Sequence, residues 1–104
     1  MPAFVFTYRK AAGYTRTPQT LAAWQAWFGG MGGQLTDTGK PVVAHTVLGT
    51  CDPDRTEPGG YSVIQADDLE AATAIAKGCP HLERGGGVEV GELGEVPSST
   101  PAGG

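Results

Sequence analysis

Basic residues, histidine, cysteine and long apolar runs are all scarce in this sequence. Seven Lys and Arg stand against eleven Asp and Glu, which leaves a formal net charge of −4. Nucleic-acid binding normally needs a basic stripe, so the charge argues against that class of partner. No apolar run approaches the length of a membrane span, and Met1–Tyr8 lacks the basic start and apolar core of a signal peptide. We therefore expect a cytoplasmic protein with no nucleic-acid or membrane partner.

The shortage of cysteine and histidine limits the metal and nucleophile chemistry open to the chain. The only residues of these types are Cys51, Cys79, His45 and His81, and they show neither a CxxC pair nor the ligand spacing of a zinc site. A disulfide is compatible with two cysteines, but reduced thiols fit a cytosolic protein better. The sequence thus predicts no metal site and no cofactor.

Glycine and proline are abundant, with 17 and 8 residues in a chain of 104. The length suits one domain, which we place at residues 1–95. The tail 96–104 is rich in Pro, Ser, Thr and Gly, and is predicted to be disordered. A chain of this size buries only about two-thirds of its unfolded surface, so a partner surface would add stability.

Hydrophobic spacing predicts the element order β-α-β-β-α-β. Thr17 followed by Pro18 is a typical helix start, and the apolar stripe Leu21, Trp24, Phe28, Met31 continues to the glycine cluster Gly29–Gly33, where the helix should end. The other predicted elements are a first strand at Ala3–Tyr8, further strands at Val42–Leu48, Tyr61–Ala66 and Val88–Leu93, and a second helix from Asp67, with Glu70 as capping-box partner, to Gly78.

This order predicts an α+β, ferredoxin-like fold: a four-stranded antiparallel sheet with two helices on one face. Phe4, Phe6 and Tyr8 share one side of the first strand. They would be poorly placed in water if that side were the uncovered one. Pairing two such sheets across a two-fold axis would bury both, so we expect a homodimer with a small-molecule cleft between helix, sheet and loop.

An ordered series of segments from Phe4 to about Leu93 resembles the YCII-related (DGPF-type) family of the dimeric α/β-barrel group. The resemblance implies a dimeric, mostly bacterial protein with a cleft in each protomer. It also implies that some relatives act as small hydrolase-like or dehalogenase-like enzymes through a His–Asp pair. The segments are Phe6-Thr7-Tyr8-Arg9, Trp24-Gln25-Ala26-Trp27-Phe28, Gly33–Pro41, Gly59–Ile64, Asp68–Ala72 and Lys77-Gly78-Cys79-Pro80-His81-Leu82.

Two features of the family pattern are missing from this chain. The histidine that such relatives carry early in the first helix is absent, because the helix reads Leu21-Ala22-Ala23-Trp24. The acidic-Gly-Pro-Phe tetrapeptide is absent from Gly49–Gly60, which reads as an exposed hairpin loop. The chemistry of this branch is therefore not assigned by the resemblance.

His81 is the first candidate for catalysis, with Asp37 as the residue that orients it. A histidine after the second helix could act as a general base near neutral pH. The alternative is that His81 only hydrogen-bonds the end of the helix and stabilises the turn. Asp37 in Asp-Thr-Gly is equally typical of an ordinary turn.

Tyr8, Trp24, His45 and Cys79 are candidates for the lining of a ligand pocket. Each has a structural alternative: the aromatic residues could belong to the core or the dimer interface, His45 could make a polar contact in the sheet, and Cys79 could be an inert core residue rather than a nucleophile beside His81. Three functions stay open: a hydrolase-like or lyase-like enzyme, a non-catalytic ligand-binding or regulatory dimer, and a structural interaction protein.

Overall fold

The computed structural model describes residues 1–51 and 55–96 of the protein. Its elements are β1 (Ala3–Ala11), α1 (Pro18–Met31), β2 (Leu35–Asp37), β3 (Thr56–Gln65), α2 (Leu69–Ala76) and β4 (Gly87–Glu92), with short 3-10 turns at Gly32–Gln34 and Pro80–Arg84. The strands form one antiparallel sheet in the order β2-β3-β1-β4, and both helices pack on the same face of it. The predicted ferredoxin-like α+β fold is confirmed.

The alternation of β1 decides which face of the sheet is covered. Phe4 and Phe6 are fully buried and Tyr8 is nearly so, and all three point towards the helices. Phe6 stacks on Trp27 of α1, with 5.8 Å between the ring centroids. The opposite face carries smaller residues, such as Val5 beside its β3 partner Val63. The large aromatic residues of β1 are therefore core residues and do not form the uncovered face.

Both helices begin at side chains that satisfy exposed backbone N–H groups. Thr17 Oγ1 accepts a hydrogen bond from Thr20 N, and Thr17 N donates to Thr20 Oγ1, which confirms the predicted start of α1. Asp68 Oδ1 accepts from Ala71 N at 2.7 Å. Asp68 is therefore the N-cap of α2, one residue later than predicted, and Glu70 lies too early to complete a capping box.

The prediction of a strand at Val42–Leu48 is wrong. Pro41 makes an isolated bridge to Gly60, and Val42 N donates to Gly59 O, after which the chain leaves the sheet. The short strand Leu35–Asp37 fills the second position instead. The run from Val42 to Leu48 is apolar on both sides of its alternation, a pattern that needs cover on two faces, but here only Val42 is half-buried and the residues after it are exposed.

The turn between β2 and Pro41 depends on glycine. Asp37 Oδ1 accepts from Gly39 N at 2.9 Å, and Gly39 has a φ of 75°. A Cβ on Gly39 would overlap the carbonyl oxygen of Tyr61, so the turn lies directly against β3. This contact brings the segment 38–41 over the end of the sheet that holds Tyr8.

The start of β3 differs from the sequence prediction. β3 begins at Thr56 rather than Tyr61, although its first half contains Pro58. Within the described residues β2 does not extend along this half of β3, so the missing N–H of Pro58 leaves no hydrogen bond unmade. Residues 97–104, almost the whole of the predicted tail, lie outside the described ranges.

Candidate functional site

A cavity of about 490 Å³ opens between α1, the end of β1 and the turn 38–41. This volume is in the range of small-molecule sites. Its lining includes one histidine, His81, and five aromatic residues that come from β1, from the connection to α1, from α1 and from β3. These five are Tyr8, Tyr14, Trp24, Phe28 and Tyr61.

His81 lies in the 3-10 turn after α2, with only 4% of its surface exposed. The ring stands nearly edge-on to Trp24, Tyr14 and Tyr8, at centroid distances of 4.9, 5.0 and 6.3 Å. Gly86 N donates to His81 O at 2.9 Å, and a side chain on Gly86 would press on the His81 backbone and Cβ. The tight return of the chain at Gly86 therefore holds the imidazole against three aromatic rings.

The two nitrogens of His81 have different surroundings. Nδ1 is fully buried and has no hydrogen-bond partner among the described residues. Nε2 lies beside Gly59, which also lines the cavity. Burial lowers the pKa of His81, and the positive charges of Arg84 and Lys10 lower it further. The imidazole is therefore neutral at neutral pH and can accept a proton.

Gly59 owes its position beside His81 to an irregularity in the sheet. Tyr8 pairs with Gly60 and Arg9 with Pro58, so Gly59 is an extra residue in β3. A Cβ on Gly59 would lie 3.3 Å from the Tyr8 carbonyl oxygen and 3.4 Å from His81 Nε2. The bulge thus brings bare backbone against the histidine, and bulges are common next to active sites.

The Tyr8 hydroxyl begins a short hydrogen-bond chain behind the cavity. It donates to Ser62 Oγ at 2.8 Å, and Ser62 Oγ donates to Thr38 O at 2.7 Å. Burial raises the pKa of Tyr8 well above its usual range. The phenol therefore stays protonated: its oxygen can accept a hydrogen bond, but it does not readily release its proton.

The structure does not bring Asp37 to His81. The Asp37 carboxylate is exposed and accepts from Gly39 N inside its own turn. His81 Nδ1, the atom that an orienting carboxylate would bind, has no partner in the described part of the chain. No hydrogen bond joins the predicted His81–Asp37 pair in the described residues, and the Asp37 carboxylate instead stabilises the tight turn over β3.

The four predicted pocket residues fall in three different environments. Tyr8 and Trp24 lie in the cavity wall. Cys79 is 2% exposed, belongs to the core cluster and is not in the wall; burial raises its thiol pKa, so it is a poor nucleophile. His45 is exposed in the segment that was predicted as a strand, and it does not line the cavity.

Sequence reasoning missed the polar lining of the cavity. Tyr14, Lys10, Arg16 and Lys40 all contribute to it. Lys10 continues the buried face of Tyr8 two residues further along β1, which a longer strand prediction would have found. Tyr14 and Arg16 lie in an irregular connection, and no periodicity marks them.

Neither a metal centre nor a membrane helix is found in the described ranges. No group of three or more His, Cys, Asp and Glu side chains in residues 1–51 and 55–96 could hold a metal ion. Within the same ranges no helix has the length and apolar character needed to cross a bilayer.

No family model matches this chain, and no curated protein sequence does either. Among solved structures, it is similar to 5-chloro-2-hydroxyhydroquinone dehydrochlorinase from Burkholderia phenoliruptrix AC1100, in complex with 2,5-dihydroxybenzoquinone. The TM-score is 0.56 at 20% sequence identity, over 90% of this chain and 95% of that one. At this identity the similarity supports the fold, which is the fold described above.

Proposed function

We propose that the protein is a small-molecule enzyme of the YCII type, with lyase-like activity on a compact aromatic substrate. His81 is the general base. The observation that supports this most directly is the environment of its ring: a buried, neutral imidazole inside an aromatic cavity, with Nε2 beside the bulge at Gly59.

The reaction that fits such a base is elimination. His81 Nε2 takes a proton from a substrate carbon or hydroxyl group, the electron pair moves into a new double bond, and the leaving group departs with its bonding pair. The Tyr8 oxygen can accept a hydrogen bond from the bound ligand, since its own proton is donated to Ser62 Oγ, and the phenol is not acidic enough to serve as the proton donor. The similarity to a dehydrochlorinase makes a halide the first leaving group to test.

Elimination is favoured over hydrolysis through a covalent intermediate because of what lines the cavity. Among the described residues the lining contains neither cysteine nor carboxylate, and Cys79 is buried in the core behind it. A nucleophile activated by a neighbouring base would need to face the cavity.

The test is turnover of a substrate panel by the wild type and the His81→Gln variant. Chlorinated hydroxyhydroquinones, chlorophenols and aryl esters are incubated with each protein, and chloride release and product absorbance are measured. Loss of a general base lowers the rate by about 10²- to 10⁴-fold. His45→Gln, at an exposed histidine away from the cavity, is the matched control and keeps the wild-type rate. A wild-type rate in a folded His81→Gln variant would reject the role of His81.

A second candidate function is a ligand-binding or regulatory protein without catalysis. It is favoured by His81 Nδ1, which has no orienting partner among the described residues, so the tautomer of the base is not set by a hydrogen bond. Saturable binding of panel compounds without turnover of any of them would support this function over the first.

We further propose that the protein is a homodimer formed through the uncovered face of the sheet. Val5 and Val63 are only half-buried there. Burying these side chains against a second copy would add apolar contact area to a small core. A monomer mass in sedimentation equilibrium at micromolar concentration would contradict the dimer.

A further inference from the structure

The cavity has the opposite charge from the chain as a whole. The full chain carries more Asp and Glu than Lys and Arg. Within the described residues, however, the cavity lining contains Lys10, Arg16 and Lys40 and no acidic side chain. If the charges of this acidic chain were distributed evenly, the cavity lining would contain acidic side chains as well as basic ones.

The three cations come from three separate parts of the fold. Lys10 is on β1, Arg16 is in the connection before α1, and Lys40 is in the turn against β3. Arg16 and Lys40 are exposed, which places them at the mouth of the cavity, whereas Lys10 is half-buried. Independent segments therefore bring positive charge to one opening.

Lys10 is the only one of the three cations with an acidic partner in the described ranges. Its Nζ lies 3.8 Å from Glu57 Oε1, a long and partly solvated pair that is worth little. Its charge is also felt by His81, whose pKa it helps to lower. Arg16 and Lys40 make no ion pair within the described part of the chain.

We propose that the ligand of this cavity is a planar aromatic anion, with a carboxylate or phenolate group held at the mouth by Arg16 and Lys40 and its ring against Trp24. This inference rests on the proposed function and adds the charge of the substrate. Apolar walls of low dielectric focus the field of the cations into the cavity, so they attract an anion more strongly than the same residues would on a flat surface. The aromatic walls provide the stacking surface for the ring.

The anion and the base have compatible positions. A negative group at the mouth satisfies Arg16 and Lys40 while the neutral His81 lies deeper, against Tyr8, Tyr14 and Trp24. The cations thus orient the ligand with its uncharged edge towards Nε2. Lys10, already beside Glu57, contributes mainly to the field at His81.

The experiment compares two probes of nearly the same shape and different charge, 2-hydroxybenzoate and 2-hydroxybenzamide. Binding is followed by ¹H–¹⁵N correlation spectra and by quenching of tryptophan fluorescence, since Trp24 lies in the cavity wall. We expect 2-hydroxybenzoate to bind about five- to tenfold more tightly at low salt, a preference of about 1 kcal/mol. The preference should shrink when salt is raised to about 0.5 M, where charges are screened over a few ångströms.

The double variant Arg16→Gln with Lys40→Gln should lose the preference and keep the amide affinity. Lys77→Gln is the control, because Lys77 is an exposed cation at the end of α2 and does not line the cavity. It should keep the wild-type preference.

Equal binding of the two probes, or a preference that survives in the double variant, would overturn the anion specificity. Neither result would affect the role of His81, which the turnover assay tests independently. Absence of binding by both probes at millimolar concentration also overturns it. The His81→Gln comparison then decides the proposed function separately.

Discussion

The covered face of the sheet has two ends that are built differently. At one end the core contains the small side chains of Ala72 and Ala76 from α2, and the core residues Phe4 and Ile64 are completely buried. At the other end α1 contacts the sheet through the large rings of Trp24 and Trp27, and a cavity remains beside Tyr8. Small side chains on a helix allow close packing against the sheet, whereas large side chains can leave a cavity between the helix and the sheet.

Trp24 and Trp27, three residues apart on α1, mark the boundary between these ends. Trp27 stacks on Phe6 and donates from Nε1 to Ile75 O at 3.1 Å, which ties α1 to α2. Trp24 instead meets Tyr8 and His81 edge-on, at 4.8 and 4.9 Å. One tryptophan therefore stabilises the fold and the other forms the site.

The largest expected difference between the ends is in stability. Phe4→Ala should lower the free energy of unfolding by about 3–5 kcal/mol, because a fully buried ring leaves a cavity. Trp24→Ala should lower it by only about 1–2 kcal/mol, because this ring is half-buried beside a cavity that already exists. Urea unfolding followed by circular dichroism measures both.

If Phe4→Ala fails to fold, Phe4→Leu can replace it and should lower the free energy of unfolding by about 1 kcal/mol. Ligand binding should respond in the reverse order, with Trp24→Ala losing affinity and Phe4→Leu retaining it. Equal destabilisation by Phe4→Ala and Trp24→Ala would mean that the two ends are packed alike.

A smaller effect is expected where the two helices meet. A Cβ on Gly78 would lie 2.8 Å from Trp27 Nε1, so Gly78→Ala should displace the indole and weaken its hydrogen bond to Ile75. We expect a loss of about 1–3 kcal/mol in the free energy of unfolding.

Gly33→Ala is the matched control, since a Cβ there meets nothing within 4 Å. Its effect should be within about 0.5 kcal/mol. If both glycine variants unfold at the same urea concentration, the close approach of Trp27 to Gly78 does not contribute to stability.

The smallest expected effect is a pH dependence that belongs to the open end alone. The pKa of His81 in the folded protein is lower than its ordinary value of 6.5, so the unfolded chain takes up a proton first as the pH falls. Above about pH 6.5, His81 should make no pH-dependent contribution to the free energy of unfolding. As the pH falls below about 6.5, the free energy of unfolding should decrease, and it should level off once His81 is also protonated in the folded protein.

His81→Gln should remove this part of the pH dependence, and His45→Gln should leave it in place. Urea unfolding between about pH 5 and pH 8 measures the difference between the variants. Identical pH profiles for wild type and His81→Gln would show that burial of His81 carries no protonation penalty.

Local sequence signals were sufficient for most of the fold. The alternation of Phe4, Phe6 and Tyr8 and the Thr17-Pro18 helix start are short-range patterns, and both are present in the structure. Val42–Leu48 misled the prediction because alternation in an apolar run does not reveal whether any face is available to cover it.

The site was only partly readable from the sequence. His81, Tyr8 and Trp24 were chosen for their chemistry, and the structure places all three at one cavity. Residue spacing could not predict whether His81 contacts Asp37, because a contact between two turns that are far apart in the sequence depends on how the whole chain folds. Arg16 and Lys40 gave no signal, because charged residues in loops are ordinary.

The sequence by itself determined the order of strands and helices and the face of β1 that is buried, because these follow from residue periodicity and local capping. Only the tertiary structure decided that Asp37 closes a turn, that Gly59 bulges beside His81, and that cations from three segments share one opening. Each of these depends on how segments far apart in the chain are packed together, which no local pattern encodes.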